Sequence, residues 1–68
     1  MFNVVKIDEN MNRFIIETYQ SCKDAKARIE TELSHFEFSD FDGEQGIWWG
    51  SNTRSNGEIR FLIETKKE

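Results

Sequence analysis

The sequence predicts a two-layer α+β domain, a four-stranded, mainly antiparallel sheet with one helix packed on one face, in the order ββαββ. Three observations carry this expectation. Runs of β-branched and aromatic residues of strand length occur in pairs on either side of the middle of the 68-residue chain. Between the pairs lies a single apolar stripe with helical spacing, and Asn- and Gly-rich turn segments separate the two members of each pair.

The first pair is "FNVVKID" and "RFIIETY", residues 2–8 and 13–19, joined by "ENMN", a hairpin loop by composition. Ser21 then precedes a helical pattern with Asp24 three positions on, the spacing at which a cap side chain meets the first turn. Cys22, Ala25, Ile29, Leu33 and Phe36 recur every three or four residues and form one stripe able to face a sheet. On the opposite side, Arg28 has Asp24 four residues before it and Glu32 four residues after, so weak i,i+4 pairs are expected on a solvated surface. The second pair is "IWWGS" and "EIRFLIET", around "NTRSNG", in which Asn56-Gly57 supplies the residues that tolerate a tight reversal. Phe36 and Phe38 alternate, so residues 36–41 could add a short strand and turn the second half into a three-stranded meander.

Neighbouring strand residues point to opposite faces, so Trp48 and Trp49 cannot both lie under the helix. The expected core side combines Val5, Ile7, Phe14, Ile16, Ile47, Trp49, Ile59, Phe61 and Ile63. This sends Trp48 outward, in line with Gly46 and Gly50, because a Trp flanked by glycines makes a poor core stripe. Val4, Lys6, Ile15, Glu17, Arg60, Leu62 and Glu64 join it on the open face. Half of that set is apolar, whereas a purely solvated face alternates to polar residues more cleanly. A Trp among aliphatics with charges at the rim matches the composition of protein interfaces.

Charge is distributed unevenly. Of thirteen acidic residues, Glu37, Asp40, Asp42 and Glu44 fall within residues 37–44 with no base among them, leaving nine acids against nine bases elsewhere, so the net charge of -4 sits in one segment. Proteins that bind nucleic acid gain affinity from Lys and Arg that displace counterions, which disfavours such a partner here and favours a basic protein. Lys6, Arg13, Arg54 and Arg60 offer only scattered positive charge for stacking a single strand beside an exposed aromatic.

Catalytic chemistry finds little support. The one Cys, Cys22, opens the helix, and His35 lies thirteen residues further on, about 20 Å away at 1.5 Å per residue, too far for a nucleophile and its base. "DFDGE" lacks the frame of an EF-hand calcium loop, and "GSNTRSNG" lacks the lysine and following helix of a phosphate loop. No apolar run approaches a membrane span and no leader-like start is present, so the reading is a cytoplasmic protein without cofactor or metal. No motif resembles a known family. The expectation is a non-catalytic protein-binding module, an adaptor or inhibitor of the kind phages and mobile elements encode. Its contact residues are expected to be Trp48, Leu62, Ile15 and Arg60 on the open face and Glu37, Asp40, Asp42 and Glu44 in the acidic segment. A homodimeric structural or regulatory protein and a weak single-stranded nucleic-acid binder are the alternatives.

Overall fold

A computed structural model of the chain describes residues 1–52 and 57–65. It is an α+β fold with one helix and an antiparallel sheet, in the order β1 (Phe2–Ile7), β2 (Arg13–Tyr19), α1 (Cys22–Leu33), β3 (Phe38–Asp42), β4 (Ile47–Ser51) and β5 (Ile59–Thr65). The sheet has five strands rather than the four expected, ordered β2-β1-β5-β4-β3. The added member is β3, which pairs with β4 from Phe38–Ser51 to Asp42–Ile47 and completes a β3-β4-β5 meander. Its "FSDFD" is short and acidic, which suits an edge strand, and it realises the optional strand at residues 36–41 with bounds shifted to Phe38–Asp42. The β4–β5 connection through Asn56, and Arg54 within it, lies outside the described residues.

Because β2 and β3 form opposite edges, α1 must cross the sheet to join them, and it packs on β1, β2, β4 and β5. Ser21 caps it, its Oγ accepting from the Asp24 N–H at 3.1 Å. The helix closes through tighter bonds, His35 N–H to Glu32 O and Phe36 N–H to Leu33 O, which turn the chain down toward β3. Ala25, Ile29 and Leu33 are buried beneath it with Val4 and Phe61, while Phe2, Ile16, Tyr19, Phe36, Trp48, Ile59 and Ile63 surround that cluster. The predicted stripe is therefore the helix's packing face, with Cys22 half-buried at its start.

Arg28 departs from the expected helix surface. It pairs with Glu32 at 2.9 Å, and its other arm reaches Glu17 on β2 at 2.7 Å rather than Asp24. Tyr19 donates its hydroxyl proton to the same Glu17 oxygen and accepts from Arg28, tying the rim of the helix to the edge strand. This contact with the Tyr19 oxygen, and then Glu32, raises the guanidinium pKa further.

Candidate functional site: the uncovered sheet face

The faces of the sheet follow from strand register. In the pairings Val4–Ile63, Lys6–Phe61 and Trp48–Phe61, each residue shares the helix side with its partner. Trp48 thus faces the helix and packs on the core, with its ring centroid 4.6 Å from that of Phe41, and Trp49 faces the open side beside Arg60. The expected assignment of the two indoles is reversed. The cause is Phe36. An ideal Cβ built on Gly50 would stand 2.7 Å from both Cγ and Cδ2 of the Phe36 ring, so that ring occupies the space a side chain at Gly50 would fill. It also meets Phe61 edge-on at 6.5 Å. A glycine in line with a tryptophan is here a socket for an aromatic side chain from another element.

The first strand is reversed in the same way. Val4 lies on the helix side with no exposure, and Lys6 and Glu17 occupy helix-side positions by register, whereas Val5 and Ile7 pair with Leu62 and Arg60 on the open side. In β2 a bulge opposite Val4 and Val5 breaks the alternation, so Ile16 and Glu17 both turn toward the helix layer. Phe14, placed in the core by pattern, sits at the edge and is 52% exposed. Ile15, Arg60, Leu62 and Glu64 are on the open side as expected.

The open face is organised in two rows across the strands. One runs Arg13, Ile7, Arg60, Trp49, Asp40 from the β2 edge to the β3 edge, as successive register pairs. The second begins Ile15, Val5, Leu62 and continues with Ile47 and Asp42, since Leu62 and Ile47 each stand two residues from the Arg60–Trp49 pair. Val5 is only 1% exposed, walled in by its neighbours, while Ile15 stands out at 60%. Beyond the second row, Asn3 is buried and accepts from the Thr18 hydroxyl at 2.7 Å. Arg13 is paired with Glu64 at 2.9 Å and Arg60 with Glu58 at 2.8 Å.

The acidic segment does not gather into one cluster. Asp40 and Asp42 share the open side of β3, with Phe38, 55% exposed, two residues before Asp40. Glu37 precedes the strand, its N–H donating to Asn52 Oδ1, and Glu44 lies in the following turn. Asp42 shapes that turn by accepting from the N–H groups of Glu44 and Gln45, and Gly46 closes it with φ of +68°. Phe41 pins the strand to Trp48.

Among the described residues no three His, Cys, Asp or Glu side chains lie close enough together to hold a metal ion. In the same residues no helix is long and apolar enough to cross a membrane. The positive charges that could follow a nucleic-acid strand are dispersed: Lys6 is at a helix-side position, and Arg13 and Arg60 are engaged by carboxylates. Val5, Ile7, Ile47 and Trp49 were missed as open-face residues because "VV" and "WW" fit either phase of a period of two. The one available signal was Gly50, in phase with Trp48 and in need of an aromatic neighbour. Compared with protein-family models, curated proteins and solved structures, the chain matches none.

Proposed function

We propose that this chain is a small non-catalytic protein-binding module acting through the uncovered sheet face and its acidic outer strand. One observation carries the reading: Ile7, Ile15, Ile47, Trp49 and Leu62 share a face that no other described element of the fold covers. An aromatic and aliphatic centre bordered by Arg13, Arg60, Asp40 and Asp42 has the make-up of surfaces that bury a few anchor residues and keep charges at the rim. Within this reading Trp49 takes the anchor role expected of Trp48. Asp40 and Asp42, side by side at one border, favour a partner that brings basic groups to that edge.

The test is affinity capture from native host extract with the wild-type chain, Leu62→Lys, and the double variant Asp40→Asn/Asp42→Asn. Leu62 is at the centre of the face, so its lysine variant should lose a captured partner, and the double variant should weaken capture and its dependence on salt. Capture of the same partner by Leu62→Lys at wild-type strength refutes the reading.

A further inference from the structure

The open face carries a pattern that fixes one partner's chemistry. β5 is the middle strand of five, so a two-fold axis lying in the plane of contact and parallel to β5 exchanges β2 with β3 and β1 with β4. Applied to the first row, this rotation sets Arg13 over Asp40 and Ile7 over Trp49 at both ends. Applied to the second, it sets Val5 over Ile47 and Leu62 over its own counterpart on the axis. The basic edge meets the acidic edge, and the apolar positions meet one another.

We infer that the open face binds a second copy of this chain, giving a symmetric helix-sheet-sheet-helix dimer. The inference rests on the protein-binding reading of this face and names its occupant. Like charges meet only on the axis strand, Arg60 over Arg60 and Glu64 over Glu64, and each has an opposite charge within its own chain, Glu58 at 2.8 Å and Arg13 at 2.9 Å. At the rim, Ile15 falls over Asp42, where the carboxylate keeps its water. Arg13 is 58% exposed and holds Glu64 through one guanidinium nitrogen, so it can keep that contact and present its other nitrogens to Asp40 of the partner copy. Isologous contacts of this kind need self-complementary patches, which opposite charges at opposite edges of one row supply. Aligned packing of two sheets about 10 Å apart places such rows in contact. Pairing through the outer edge is a poorer solution, since two β3 strands would oppose their own aspartates and β2 is bent by its bulge.

Sedimentation equilibrium of the full chain from about 1 µM to about 1 mM, a range that covers moderate to weak association, reads the result. The mass should rise from the 8.1 kDa of one chain toward twice that value. Arg13→Glu and Asp40→Arg should each weaken association by at least about tenfold, since each sets two like-charged pairs face to face. Mixing these two single variants should restore the dimer, because the mixed pair recovers opposite charges at both ends. Circular dichroism matching wild type shows that the variants are folded. A chain that stays monomeric throughout the range, or a dimer indifferent to both charge variants, overturns the inference. A monomer that still captures another protein through Leu62 would refute the dimer while leaving the protein-binding reading intact.

Discussion

At the scale of single residues, the decisive group is Gly50. Its missing side chain lets the Phe36 ring descend onto β4, and that contact keeps Trp48 inward. Gly50→Ala should therefore cost about 1–3 kcal/mol through overpacking against a ring held by its neighbours. The same change made on a Phe36→Ala background should cost little, and urea denaturation of the four members of this cycle measures the difference. Asp8 plays a different part. Its Oδ1 accepts from the N–H groups of Asn10 and Asn12 at 2.9 Å each, and Oδ2 from the Asn12 amide, so it organises the whole β1–β2 turn. The Asn12 backbone bond is the main cause that lowers its pKa. A carboxylate more acidic when folded stabilises the protein above its unfolded pKa, and that contribution disappears as pH falls through the lowered value. Asp8→Asn keeps an acceptor oxygen but removes the charge. Its denaturation midpoint should fall less than that of wild type between pH 7 and pH 3; an identical acid response in both would show that Asp8 contributes nothing to it. In the same turn Met11 adopts φ of 67°, a region that Gly or Asn occupies at lower cost.

At the scale of elements, legibility depended on whether a strand or helix contained its own reference. The helix did: its cap, its span and its buried stripe follow from Ser21 and from Ala25, Ile29 and Leu33 at helical spacing. β5 also did, since Ile59, Phe61 and Ile63 hold one phase over three positions. β1 and β4 did not. Each contains a doublet of equivalent residues, Val4-Val5 and Trp48-Trp49, and a shift of one residue exchanges every side chain between faces. The choice was made outside those strands, by Phe36 over Gly50 and by the pairing of Val4 with Ile63. The bulge in β2 could not be read from alternation, because it abolishes alternation where it occurs. Ile29, with no exposed surface, connects the helix to the sheet core, and Ile29→Ala should lose about 2–5 kcal/mol. Thermal melting followed by circular dichroism would register this as a large drop in midpoint, or as loss of the folded state.

At the scale of the whole molecule, the α+β class and the single helix were legible, while the fifth strand was legible only as an option at residues 36–41. Of the residues expected to form the binding surface, Ile15, Leu62 and Arg60 stand on the uncovered face, Asp40 and Asp42 reach its border, and Trp48 belongs to the core. The border was legible as charge and the interior of the face was not, since charge is recorded residue by residue and orientation is recorded only in register. A five-stranded sheet with a helix on one side distributes its resources unequally. Every fully buried large side chain except Val5 belongs to the helix layer, so substitutions on the uncovered face should alter association more than folding.

The sheet order also bears on synthesis. β5, the last of the five described strands in chain order, is the one that divides β1 from β4. While the ribosome has released only the segment before residue 59, the nascent chain holds two separate ribbons and a helix that can reach Val4 but lacks its other buried strand companion, Phe61. Completion of the sheet must therefore wait until β5 has emerged. Until then the apolar stripe of the helix is open to chaperones, and the final insertion joins both halves in a single late event.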